Sequence, residues 1–269
     1  MSDLEALILG IIQGLTEYLP VSSSGHLELS KALLGIEVVD HLLFDVILHF
    51  ATALSTVVVF RKEINGLIKG AFSSSWNESK QFILFIIVSA IPAIIVGLFF
   101  EDTIEGILQL ERRTKIITIS VFLFITGLLL LSTYYTKKRN GELSMNKVIL
   151  IGIAQAIATL PGISRSGSTI STSLLLNVEN SKASYFSFLM VVPPIVGYTL
   201  LKLVKEWSSI SSGAYSISTS ALIIGFVSSF VVGLFACKWM LQIVRKGKLI
   251  YFAYYCFLIS GACIIYSFI

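Results

Sequence analysis

Pro20-Val21-Ser22-Ser23-Ser24-Gly25-His26 interrupts an apolar segment spanning residues 4–34, and Pro161-Gly162-Ile163-Ser164-Arg165-Ser166-Gly167 interrupts a second one spanning 148–176. Each half-segment is about 14 residues long, too short to cross a bilayer that needs about 20, yet suited to one arm of a re-entrant hairpin. Proline and glycine end the first arm, and the serines that follow are good caps for the second. The two breaks belong to copies of one pattern. Gly10-Ile11-Ile12-Gln13 matches Gly152-Ile153-Ala154-Gln155, and Ser22, Ser24 and Gly25 match Ser164, Ser166 and Gly167. Both matches share one offset (152 − 10 = 142; 164 − 22 = 142), with the proline shifted by one position. The offset continues into the next apolar segment, where Phe44-Asp45-Val46-Ile47-Leu48 lines up with Phe186-Ser187-Phe188-Leu189-Met190. It drifts to 136 where Val96-Gly97-Leu98-Phe99 meets Val232-Gly233-Leu234-Phe235. Apolar segments resemble one another by chance, because Leu, Ile and Gly recur in all of them. The shared break, the constant offset and the matching polar residues argue instead for a duplicated unit.

The rest of the chain fits this reading. It is 55% apolar and 13% charged, with a mean hydropathy of +0.86. A soluble fold needs far more charge to cover its surface. Six further segments are long and apolar enough to span: 41–60, 81–100, 114–134, 183–202, 218–241 and 249–268. The expected fold is therefore an all-α polytopic membrane protein, one domain over 1–269, with repeat 1 near 1–140 and repeat 2 near 141–269. Each half is a re-entrant helix pair plus three transmembrane helices; three is odd, so the second copy is inverted relative to the first. Charge supports this. Arg61, Lys62, Lys69, Lys80, Lys137, Lys138, Arg139, Lys147, Lys182, Lys238, Arg245, Lys246 and Lys248 fall on one side. The other keeps Lys31, Arg112, Arg113, Lys115, Lys202 and Lys205, three of them beside the acidic run Glu101, Asp102, Glu105 and Glu111. The richer side is cytoplasmic by the positive-inside rule, which puts both termini outside and brings the two re-entrant tips together near the midplane. Met1 to Glu5 carry Asp3 and Glu5 and no positive region, unlike a signal peptide. A net charge of +4 calls for no nucleic-acid partner. Cys237, Cys256 and Cys263 sit in apolar segments without metal-ligand spacing and read as small core residues.

The tips carry the chemistry. Gln13 and Glu17, at i,i+4, share one face of a short helix. A carboxylate in an apolar segment costs several kcal/mol unless paired, hydrated or cation-bound; the plain alternative is a helix-end Glu reaching the interface. Ser22-Ser23-Ser24-Gly25-His26 offers hydroxyls and free helix-start amides that suit a phosphate, with a histidine one turn away for proton transfer. Alone, such serines would more often be a capped turn. Arg165 is read as the one basic residue deep in an apolar segment, and a guanidinium there demands anions. A salt bridge from Arg165 to Glu17 that merely fixes the fold is the competing account, compatible with a substrate role. Ser164, Ser166, Ser168 and Thr169 surround Arg165 with hydroxyls. Glu17 would repel a phosphate unless a divalent cation, Mg²⁺ or Ca²⁺, bridged them. Asp45 and His49, also i,i+4, either support this site or lie at the interface. Pro193-Pro194 kinks the matching helix and could widen a lipid entrance.

Gln13-Gly14-Leu15-Thr16-Glu17-Tyr18-Leu19-Pro20-Val21-Ser22-Ser23-Ser24-Gly25-His26 and Pro161-Gly162-Ile163-Ser164-Arg165-Ser166-Gly167-Ser168-Thr169 together resemble the two signature motifs of the bacterial undecaprenyl-diphosphate phosphatase family, also called bacitracin-resistance proteins. The position of Gln13 is often Glu in that family; glutamine is an accepted alternative, but it leaves one acid rather than two for a metal. The resemblance implies removal of one phosphate from undecaprenyl diphosphate at the outer face of the plasma membrane. The product is the monophosphate carrier for peptidoglycan and other wall polymers, and abundance of the protein implies bacitracin resistance. On that basis Glu17, Ser23, His26 and Arg165 are the expected catalytic set. Ser22, Ser24, Ser164, Arg165, Ser166 and Thr169 are expected to hold phosphate, and Glu17 with Gln13 the cation. Ser23, His26 and water all remain open as nucleophile. The rival class is a lipid-phosphate flippase, since inverted repeats with broken helices are also a transporter plan. The sequence is silent on oligomeric state, and a homodimer is compatible with it.

Overall fold

The computed structural model describes residues 1–36, 41–136, 140–205 and 217–268, apart from the side chains of residues 41 and 42. Lys137, Lys138 and Arg139, of the set expected to face the cytoplasm, lie outside the described residues. Helix follows helix: α1 (Asp3–Thr16), α2 (Ser23–Leu34), α3 (His41–Val59), α4 (Arg61–Ala71), α5 (Glu78–Phe99), α6 (Glu101–Leu108), α7 (Arg112–Ser132), α8 (Met145–Ile157), α9 (Arg165–Leu175), α10 (Asn180–Met190), α11 (Val192–Lys205), α12 (Thr219–Arg245) and α13 (Ile250–Tyr266).

Both breaks occur where the sequence puts them, and the same device restarts the chain each time. Ser22 Oγ accepts from the Gly25 amide at 3.2 Å, and Ser164 Oγ accepts from the Gly167 amide at 3.0 Å. Each serine thus satisfies one of the free amides that open a helix. At 1.5 Å per residue, α1, α2, α8 and α9 reach only about 16–21 Å, short of a hydrocarbon core of about 30 Å. Lipid contact is written on their outer faces: Leu4, Leu7, Ile11 and Leu15 of α1 are exposed at helical spacing, as a lipid-solvated stripe requires.

Four helical stretches among the described residues are long and apolar enough to cross a membrane: Glu78–Phe99, Arg112–Tyr135, Asn180–Lys205 and Thr219–Arg245. A fifth arises if α3 and α4, which meet at 76°, are one bent span. The chain is an all-α polytopic membrane protein. The segment expected at 249–268 forms the 17-residue α13, a shorter apolar helix. The segment expected at 183–202 is two helices, α10 and α11, that part at Val191, two residues before Pro193 and Pro194. Those prolines sit in the first turn of α11, where a missing amide hydrogen costs nothing.

The helices interlock across the chain. α1 packs along α12, and α8 packs along α5. Small residues permit both approaches. A Cβ on Gly10 would lie 2.7 Å from the Gly225 carbonyl, and one on the matching Gly152 would lie 2.7 Å from the Ser89 carbonyl. α7 and α13 pair, and α3 lies on α12. The largest apolar core collects Ile116, Ile119 and Leu123 of α7, Met240 of α12, Phe188 of α10, and all three cysteines, which are buried and unpaired as expected.

One charge sits elsewhere than expected. Lys31 is not among the outer loop charges; it is 3% exposed, with Nζ 2.8 Å from Glu28 and 2.7 Å from Asp45. Arg165 is therefore not the one basic residue placed deep in an apolar segment. α2 turns Lys31 inward because Asp45 on α3 and Glu28, one turn back on α2, both face that point. A buried ammonium persists only when so paired.

Candidate active site

The tips of the two hairpins touch. A Cβ on Gly25 would fall 2.9 Å from Gly162 Cα, and Ser166 Oγ donates to the Leu19 carbonyl at 3.2 Å. Gly162 holds φ +105°, a turn that a side chain would strain, and its carbonyl accepts from Thr126 of α7 at 3.1 Å. Ser22 has φ +69°, unusual for a residue with a side chain and a form of strain that concentrates at functional sites.

Glu17, 7% exposed at the end of α1, is the hub. Its Oε1 is ion-paired with Arg165 Nη2, so the pairing foreseen as a competing account is present. Its Oε2 accepts from Ser23 Oγ at 2.6 Å and from Gln13 Nε2 at 3.0 Å, and lies 3.2 Å from His49 Nδ1. Arg165 is not exhausted by this: Nη1 is buried without a hydrogen-bond partner. A buried guanidinium nitrogen with nothing to bind is costly unless a ligand supplies the acceptor. The carboxamide oxygen of Gln13 is likewise buried and unpartnered beside the Glu17 carboxylate.

A cavity of about 520 Å³ opens over this cluster, lined at its polar end by Glu17, Ser22, Ser23, Ser24, His49, Ser164, Arg165 and Ser166. The helix starts of α2 and α9 both face it, adding two sets of first-turn amides and two positive dipole ends. Its walls turn apolar along Ile94 and Leu98 of α5, Ile104 and Leu108 of α6, and Ile195 and Leu201 of α11. At the far end Lys202 Nζ lies 2.7 Å from Glu101 and 3.4 Å from Glu105. The hydrogen bond from Lys202 holds the Glu101 carboxyl below the usual carboxylate range.

Two expected members stand apart from the cavity. His26 turns away from Glu17: its Nδ1 lies 2.8 Å from the Ser22 carbonyl, its Nε2 2.9 Å from Tyr255 Oη, and its ring stacks on Tyr255 of α13. A carbonyl only accepts, so Nδ1 donates to it and the tyrosine hydroxyl donates to Nε2. Thr169 is fully buried, donating to the Arg165 carbonyl at 2.9 Å and lying 2.6 Å from Ser187 Oγ. The histidine beside Glu17 is His49, whose Nδ1 is also 2.9 Å from Gln13 Nε2. Asp45, its i−4 neighbour, is bound to Lys31, so the pair weighed together divides between two clusters.

Among the described residues no group of three His, Cys, Asp or Glu side chains is gathered around one point. Of the two residues expected to hold a divalent cation, Gln13 has an unpartnered oxygen, whereas both Glu17 oxygens are engaged by Arg165, Ser23 and Gln13.

Fold and site together define an integral membrane protein with a buried polar cluster, Glu17 and Arg165 at its centre, opening into an apolar-walled cavity. More particularly, the chain belongs to the family described as bacitracin resistance protein BacA, whose profile it matches over residues 6–262. It is 49% identical to an undecaprenyl-diphosphatase of Christiangramia forsetii, over 100% of this chain and 99% of that one. It is 48% identical to one of Bacteroides fragilis, covering 99% of each chain. A more distant relative, undecaprenyl-diphosphatase 2 of Bacillus thuringiensis, is 34% identical over 98% of this chain and 97% of its own.

Proposed function

We infer that this chain is an undecaprenyl-diphosphatase. It hydrolyses undecaprenyl diphosphate to undecaprenyl phosphate and inorganic phosphate, recycles the carrier for peptidoglycan and other wall polymers, and confers resistance to bacitracin. The observation that carries the reading, beside family membership, is Glu17 held between Arg165 and Ser23 in a buried cavity, with a guanidinium nitrogen of Arg165 still unpartnered.

In the mechanism we propose, Arg165 and the first-turn amides of α2 and α9 bind the diphosphate oxygens, helped by Ser24, Ser164 and Ser166. Ser23 attacks the terminal phosphorus. Its Oγ–P bond forms, its proton passes to Glu17 Oε2, and the P–O bond to the prenyl monophosphate breaks, the departing phosphate oxygen taking that proton from Glu17. Water then attacks the phosphoserine phosphorus and gives a proton to the regenerated Glu17 carboxylate, which returns it to Ser23 Oγ as the Oγ–P bond breaks and inorganic phosphate leaves. The 2.6 Å hydrogen bond from Ser23 to Glu17 favours Ser23 over His26 as nucleophile. His26 supports the turn instead, through its bond to the Ser22 carbonyl. Thr169 fixes the α9 backbone behind Arg165. Glu17 and Gln13 Oε1 would hold a divalent cation, which would neutralise phosphate charge when bound.

The wider architecture we propose is an inverted repeat, residues 1–140 and 141–269, with both termini outside and the cavity open to the outer leaflet. The exchanged packing of α1 on α12 and α8 on α5, made at matching glycines, supports it. So do the pairing of Arg112 with Tyr266 and of Asp3 with Ser220, which would lie at one membrane face.

The test is direct. Purified protein given a polyprenyl diphosphate with Mg²⁺ or Ca²⁺ should release inorganic phosphate. Glu17→Ala and Arg165→Ala should each lower kcat by at least about 10²-fold, the scale of losing a proton acceptor or a charge-stabilising donor. Absence of release, or release indifferent to both substitutions, would point to the flippase.

A further inference from the structure

We propose that His49 is a positioning residue of this site: it braces the Gln13 amide and the Glu17 carboxylate together, and so aims the carboxylate at Ser23. The inference rests on the reading that Glu17 takes the Ser23 proton. Its basis is a four-residue relay drawn from three elements. Gln13 lies on α1, His49 on α3, Glu17 at the end of α1, and Ser23 at the start of α2. The Gln13 amide nitrogen stands 2.9 Å from His49 Nδ1 and 3.0 Å from Glu17 Oε2, while Ser23 Oγ donates to that same Oε2 at 2.6 Å.

An amide nitrogen only donates, and it has two hydrogens. One serves the carboxylate and the other points toward the imidazole, whose Nδ1 also lies 3.2 Å from the same Glu17 Oε2, so His49 meets both members of the pair. The Gln13 carboxamide could in principle turn over, since its two ends are nearly alike in shape. Turned over, it would set Oε1 against Glu17 Oε2, two acceptors at hydrogen-bond distance. That repulsion would push the carboxylate off the Ser23 hydroxyl. The carboxylate thus selects the orientation with Nε2 toward it, and the His49 ring, in contact with both Nε2 and Oε2, holds that arrangement in place and leaves Gln13 Oε1 buried and without a hydrogen-bond partner. Thr52 Oγ1, 3.5 Å from Gln13 Nε2, is too distant to do this alone. His49 reaches the site because α3 crosses beside α1, and it lines the same cavity as Arg165.

The experiment measures kcat and KM for purified full-length protein on a polyprenyl diphosphate with Mg²⁺. His49→Ala should lower kcat by about 10²-fold, the cost of a misaimed catalytic group, with KM within about 3-fold. His49→Asn, whose Oδ1 can occupy the place of Nδ1, should restore most of that loss. Gln13→Met removes the other brace on the same carboxylate, so the losses of Gln13→Met and His49→Ala should be less than additive in the double variant. An unchanged kcat in His49→Ala, no rescue by asparagine, or additive losses in the double variant would each overturn the proposal. Loss of activity with Glu17→Ala but not with His49→Ala defeats this inference alone. Activity indifferent to Glu17→Ala defeats the phosphatase reading itself.

Discussion

Replacing Lys31 by Met strips the ammonium from between Glu28 and Asp45 and leaves two carboxylates facing each other in a buried place. The cost should be about 3–5 kcal/mol, seen as a lower unfolding temperature in detergent, with part of it regained in Lys31→Met/Asp45→Asn. Lys115, 3.6 Å from Glu28, softens the penalty without replacing the pair with Asp45. This cluster also marks the limit of what single residues disclose in sequence. Glu17, Ser23 and Arg165 were legible because a polar residue beside a break in an apolar segment has few structural excuses. Lys31 was not: near the end of a half-helix it reads as an interfacial charge, and only the fold shows which way α2 turns it. His49 was harder still. Its partner Gln13 lies 36 residues away in the chain, and its i,i+4 relation to Asp45 suggested a shared role that the structure divides.

At the scale of elements, the interlocking of α1 with α12 and of α8 with α5 depends on glycines that let backbones meet. Gly10→Val would drive a side chain into Ser228 and the Gly225 carbonyl, and Gly152→Val into the Ser89 backbone. Each should cost at least about 1–3 kcal/mol, since a backbone cannot yield as a flexible side chain does. Thermal unfolding of the two variants checks this. If the halves are true repeats, the two losses should be alike. The broken helices were legible because proline, glycine and serine punctuate them. The division of one apolar segment into α10 and α11 was announced by Pro193-Pro194. Which helix would pack on which was not visible, because pairing is decided by shapes brought together only in the folded chain.

At the scale of the whole molecule, the proposed orientation places Arg112 outside and Lys246 in the cytoplasm. The three native cysteines are buried, so an impermeant thiol reagent should report only an introduced one. Arg112→Cys should label in intact cells, and Lys246→Cys only after permeabilisation; the reverse pattern would invert the topology. Charge distribution suggests that orientation from sequence, while the contact of the two tips is shown by the fold. The exchanged packing has a temporal side. The N-terminal hairpin finds its seat on α12 only after the chain reaches Gly225, which is 215 residues beyond Gly10 (225 − 10). At about 5–20 residues per second, synthesis of that stretch takes on the order of 10–40 s. Throughout that wait Gln13 and Glu17 lie in a segment too short to span, without Arg165 for most of it. With this packing neither half completes its contacts before the other, and the N-terminal hairpin is expected to wait for its seat until α12 has been made.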